Sequence, residues 1–121
     1  MIVAGFGFRA GAAVESLASA LAATGVARPD VLAAPEDKCA APVFRAFAEG
    51  LGLTVRAIPP DTLAATETTT QSPRVLAKRG TGSVAEAAAL SAAGPGARLI
   101  CPRMVSADHM ATCAIAEGPD P

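Results

Sequence analysis

The chain predicts an α/β fold, a three-layer α/β/α sandwich around a mostly parallel, mixed sheet of about five strands. Three observations carry this. Short runs with β-branched residues alternate with alanine-rich stretches of helical period, and most of these segments stop at glycine or proline. The last two strand-like runs are joined by a polar connection too short for a crossover helix, which makes them an antiparallel pair.

Ile2-Val3-Ala4 is short and runs into glycine, as a buried parallel strand does. From Gly11 to Thr24 the apolar positions Val14, Leu17, Ala18 and Leu21 recur at helical spacing, and Gly25 ends the pattern as a C-cap. The unit then repeats in kind. Asp30 to Ala34 reads as a second strand, and Phe44, Phe47, Ala48 and Leu51 mark one face of a helix closed by Gly52. Leu53 to Ile58 follows as a third strand, stopped by Pro59-Pro60. Strands separated by helices imply right-handed crossovers and a parallel core.

Residues 61–71 are rich in Thr and lack a clear period, so a short helical turn at Thr62 to Ala65 followed by loop is expected. Ser72-Pro73 is an N-cap followed by Pro at the first helical position, opening a short helix through Arg79. Ser83-Val84-Ala85-Glu86 is a capping box that opens another helix, which Gly94-Pro95-Gly96 ends. Arg98 to Cys101 and Thr112 to Ala116 are the two final strands, with Arg103, Asp108 and His109 in the loop between them. Residues 1–116 are expected to form one domain, and 117–121 a disordered tail.

Composition narrows the function classes. Net charge is −1, Trp and Tyr are absent and only four Phe are present, so neither a basic face nor stacking platforms for nucleic acid are expected. No apolar run is long enough to span a bilayer, and no basic segment precedes an apolar stretch as in a signal peptide. A cytoplasmic protein of bacterial type is the expectation. Cys39, Cys101, Cys113 and the single histidine, His109, lack the spacing of a metal site, so no metal and no cofactor are expected.

Two glycine-rich junctions carry the candidate chemistry. The first, Gly5-Phe6-Gly7-Phe8-Arg9-Ala10-Gly11, places backbone N–H groups before a helix, where the helix dipole also favours an anion, and Arg9 adds a cation. A dinucleotide fingerprint requires a different glycine register and an acid about twenty residues on. Here the last glycine is displaced and Glu36-Asp37 lies later, so the alternatives are a site for another anion or a tight turn alone. The second junction is Lys78-Arg79-Gly80-Thr81-Gly82-Ser83, again just before a capped helix and without P-loop spacing. Lys38 follows the second strand, in the loop that a doubly wound sheet places beside the first, and shares a crevice with Arg9 or is solvated surface charge. Glu86 is either a helix-capping residue or an acid-base group, and His109 either a surface residue or a general base. Cys39, beside Lys38, reads as an inert half-buried thiol.

The G-F-G-F-R-A-G stretch after the first strand, Lys38 ahead of a helix, Ser72-Pro73, G-T-G-S-V-A-E-A-A-A-L at 80–90 and T-C-A-I-A near the end together resemble the CobE family. These are stand-alone proteins of cobalamin biosynthesis homologous to the C-terminal domain of CbiG. The resemblance covers nearly the whole chain and implies a place in the aerobic route to the corrin ring, with a corrinoid or precorrin intermediate as ligand and other enzymes of that pathway as possible partners. Full CbiG-type proteins are associated with opening a lactone on a precorrin, which makes an enzyme acting on such an intermediate the alternative. A nucleotide-binding module is a weaker one. For the ligand the resemblance implies, Gly5, Gly7, Phe8, Arg9, Gly11, Lys38, Gly80, Thr81, Gly82, Ser83 and Glu86 form the expected site. Lys78 and Arg79 add positive charge, and Phe6 or Phe8 is expected as an apolar floor for the macrocycle.

Overall fold

The computed structural model describes residues 1–66 and 83–119. The helix expected at 72–79 and the junction residues Lys78, Arg79, Gly80, Thr81 and Gly82 lie outside them. The elements run β1 (Ile2–Phe8), α1 (Val14–Ala23), β2 (Val31–Pro35), α2 (Glu36–Cys39), α3 (Pro42–Leu51), β3 (Thr54–Ile58), α4 (Pro60–Ala65), α5 (Val84–Ala93), β4 (Arg98–Val105) and β5 (Ala111–Glu117).

The strands form one five-stranded sheet in the order β3-β2-β1-β5-β4. β1 pairs parallel with β2 and β2 parallel with β3, while β5 is antiparallel to both β1 and β4. Four strands therefore point the same way and β5 alone opposes them, which is the mostly parallel, mixed sheet the sequence predicts. The chain winds outward from β1 to β3 and then returns to the other side of β1.

Alternation along β1 divides the core. Ala4 and Phe6 face the layer of α1 and α3, where Phe6 meets Phe44 and Phe47 edge-on with ring centroids 5.7 and 5.4 Å apart, among Leu17, Leu21, Leu32 and Ile115. Val3 faces the opposite layer, where Ala87, Ala88, Ala89 and Ala92 of α5 pack with Val31, Ala33, Ile58 and Leu63. One layer is built from aromatic rings and the other from methyl groups, so α5 lies closer to the sheet than α1 or α3 needs to.

That close approach explains why β1 is longer than expected. It continues through Gly5 to Phe8, paired with β5 along its whole length, and so consumes the first part of the expected glycine loop. A Cβ built on Gly5 would lie 2.2 Å from the Ala85 carbonyl oxygen and 2.5 Å from the Ala89 nitrogen, so the glycine admits the helix backbone. The loop shrinks to residues 9–13. Phe6 is fully buried between two phenylalanines and is therefore unavailable as a floor for any ligand.

Other boundaries move for local reasons. Glu36–Cys39 forms a short helix where loop was expected, and α4 begins at Pro60. α3 ends as expected on Gly52, whose φ of 69° is the left-handed conformation of a helix stop. β4 continues past Cys101 to Val105 even though it contains Pro102, because β4 is an edge strand and its register against β5 shifts on either side of Cys101. Glu117, expected in the tail, is the last residue of β5, and the Gly118 N–H donates to the Met1 carbonyl at 2.9 Å.

Candidate functional site

Because β1 to β4 share a direction, the segments leaving their carboxyl ends collect at one edge of the sheet. Arg9 leaves the end of β1, and Lys38 lies on α2 directly beyond β2. The N-terminus of α5 lies over the last part of β1, where a Cβ on Gly7 would stand 3.4 Å from the Val84 Cβ. The turn at 106–110, with Asp108 and His109, closes the β4–β5 hairpin at the same edge and is tied to β1 by the Arg9 N–H donating to the Met110 carbonyl at 2.9 Å.

Within the shortened first loop the backbone donors are unequally available. The Arg9 N–H is used by Met110, the Ala12 N–H donates to the Arg9 carbonyl, and the Ala13 N–H donates to Ser16 Oγ. Among the described residues this leaves the amides of Ala10 and Gly11, both exposed, as donors facing solvent. Gly5 and Gly7 contribute instead by letting α5 lie against the strand. The Arg9 side chain is exposed, and Lys38 is half-buried with its Nζ 5.1 Å from the centroid of the Phe8 ring. Phe8 in turn stacks on Phe44, with centroids 5.6 Å apart and planes at 14°.

At the second junction Ser83 caps α5, its Oγ accepting the Glu86 N–H at 3.3 Å. The Glu86 carboxylate is fully buried and accepts the Arg103 N–H at 2.9 Å. The register shifts of β4 free that N–H from the ladder, and Glu86 supplies its acceptor, so one side chain joins the start of α5 to the edge strand. His109 is exposed in the tight hairpin turn, with φ 61°, and its backbone N–H donates to the Ser106 carbonyl.

Sequence reasoning missed the cluster around Asp108. Its carboxylate accepts from Ser106 Oγ and from Ser16 Oγ, each at 2.6 Å, and from the Met110 N–H at 3.1 Å. These donors favour the ionised form and hold the carboxyl at about 2, below its ordinary 3.8. Ser16 belongs to α1, and nearby Ser19 Oγ accepts the Ala107 N–H at 2.9 Å, so the hairpin turn is fastened to that helix. The Ser-x-Asp pattern at 106–108 between two strands signals a local turn, but nothing in it names Ser16, ninety-two residues away.

The cysteines are not activated. Burial raises the Cys39 thiol, which lies 3.4 Å from the Ala34 carbonyl as a hydrogen-bond donor, to about 11, and burial raises Cys113 and Cys101 as well. Among the described residues no cluster of His, Cys, Asp or Glu is placed to hold a metal ion, and no helix is long and apolar enough to cross a membrane.

This arrangement is that of the open-sheet α/β domains, whose ligands as a rule sit outside the carboxyl ends of the strands, where the strand order reverses. Residues 2–116 match the family described as Cobalamin synthesis G C-terminus, and the chain belongs to that family. Two solved structures agree with this over nearly the full length. CobE, a protein from the cobalamin (vitamin B12) biosynthetic pathway, is 31% identical with a TM-score of 0.84, covering 96% of this chain and 89% of that one. Cobalamin biosynthesis protein chiG from Agrobacterium tumefaciens is 38% identical with a TM-score of 0.76, covering 99% and 100%. A cobalamin biosynthesis protein G homolog from Sulfolobus solfataricus shares the fold at 18% identity and a TM-score of 0.70, covering 95% of this chain and 36% of that one. A comparison with curated proteins finds no match. The chain is a cobalamin-biosynthesis protein.

Proposed function

We propose that the protein binds a polycarboxylate corrin or precorrin intermediate at the carboxyl edge of its sheet. The observation that carries this reading is the convergence there of Arg9, Lys38 and the solvent-facing amides of Ala10 and Gly11, all beyond the carboxyl ends of the adjacent strands β1 and β2. Corrin intermediates carry a fringe of acetate and propionate groups, which suit separate cationic and amide donors better than one deep anion pocket. Family membership supplies the pathway, and the edge supplies the chemistry. Glu86 enters as the residue that holds α5 and β4 together at this edge.

The test is to mix the purified protein with hydrogenobyrinic acid and follow the coloured complex by gel filtration. Co-elution is expected, with Arg9→Ala and Lys38→Ala each weakening binding about tenfold, the size of one lost charge-assisted contact. No co-elution, or binding indifferent to both substitutions, overturns the reading. Incubation followed by mass spectrometry separates binding from chemistry: an unchanged mass is expected, and a mass change dependent on Glu86 or His109 makes the protein an enzyme.

A further inference from the structure

Phe8 and Lys38 are thirty positions apart in the chain, but they stand at the ends of two neighbouring parallel strands, so the topology sets them side by side. Phe8 lies on the same side of β1 as Ala4 and Phe6, and its ring is fixed by stacking on Phe44. Phe44 is itself fully buried on α3, so the Phe8 ring stands on a rigid base. The Lys38 ammonium, 5.1 Å from the ring centroid, is within the range at which a cation is drawn to the negative face of an aromatic ring.

We propose that Phe8 is a positioning residue whose ring holds the Lys38 ammonium at the carboxyl edge of the sheet to receive a ligand carboxylate. It does not serve as a floor for the ligand's own ring. This rests on the corrin-binding reading above. A lysine stem has four rotatable carbons, and an ammonium already placed loses less freedom when a carboxylate arrives.

The test combines binding with a measurement that needs no ligand. Wild type, Phe8→Leu, Phe8→Tyr, Lys38→Ala and the Phe8→Leu/Lys38→Ala double variant are titrated with hydrogenobyrinic acid, after thermal melts establish that each is folded. Phe8→Leu is expected to weaken binding about three- to tenfold, and Phe8→Tyr, which keeps the aromatic face, to stay within about twofold of wild type. Added to Lys38→Ala, Phe8→Leu should cost nothing further, because the two residues act through one contact. An equal loss in both backgrounds shows that Phe8 touches the ligand itself, and no loss in either shows that the ring does not matter; each result overturns the proposal. In the NMR spectrum of the free protein the Lys38 ε-methylene protons should be displaced upfield by the ring current in wild type and Phe8→Tyr, but not in Phe8→Leu. A folded wild type without that displacement overturns the inference whatever the binding result. Displacement present without any corrin binding overturns the functional reading, and with it the part assigned to Phe8 in binding.

Discussion

At the scale of single residues, Asp108 does the most with a side chain that spacing alone left unassigned. It collects hydroxyl donors from its own turn and from α1, so the exposed hairpin is fastened by hydrogen bonds to an ionised group. The consequence is a pH dependence of definite sign. In the fold the carboxyl releases its proton at about 2, whereas in the unfolded chain it does so near the ordinary 3.8. The unfolded state therefore takes up the proton first as pH falls. The stabilisation is complete above about pH 5 and is lost as pH drops through about 2. Urea-denaturation midpoints of wild type and Asp108→Asn should differ most above about pH 5 and converge as pH approaches 2. A difference that stays constant across that range would show that the charge of Asp108 contributes nothing.

At the scale of elements, the contact between β1 and α5 decides the shape of the site edge. The fully buried alanines of α5 and the glycines of β1 are complementary: small residues on the helix meet the absence of a side chain on the strand. Gly5→Ala forces a methyl group to within 2.2 Å of a helix carbonyl oxygen, and backbone on both sides cannot yield as a flexible side chain would. A loss of about 3 kcal/mol in urea denaturation is expected, at the upper end of overpacking costs. Gly50→Ala is the control. It lies in α3 with nothing within 4 Å of the new methyl group, and should instead stabilise by up to about 1 kcal/mol through helix propensity.

The same contact hides the true length of β1 from local sequence pattern. Gly5 and Gly7 have the composition of a turn and the structure of a strand, because a partner eighty residues later in sequence needs the space they leave. Local propensity carries no record of that partner. Pro102 is a second residue whose place depends on distant context: proline is excluded from a central strand, but β4 is at the edge and tolerates it. By contrast, the helices whose evidence is local, α3 with its Phe44-Phe47 face and Gly52 stop and α5 with its Ser83 cap, stand where the periodicity puts them.

At the scale of the whole molecule, the neighbourhood of Lys38 and the end of β1 was legible because parallel topology alone brings the ends of adjacent strands together. The fastenings that hold that edge in place, Glu86 to Arg103 and Asp108 to Ser16, depend on side-chain geometry across long stretches of chain and left no pattern to read. What the assembled edge should do is measurable without locating the ligand. If it binds a polycarboxylate corrin, saturation stabilises the native state alone, by about 2.7 kcal/mol at one hundred times the dissociation constant. For a domain of this size that raises the thermal midpoint by roughly 10 °C. NAD(P) and ATP, which lack their recognition features here, should leave it unchanged. Exposed Arg9 and half-buried Lys38 act largely through solvent-screened charge, so the shift should shrink markedly in about 1 M salt, where the screening length falls to roughly 3 Å. A shift of equal size at low and high salt would mean that apolar contact, not the cationic edge, holds the ligand.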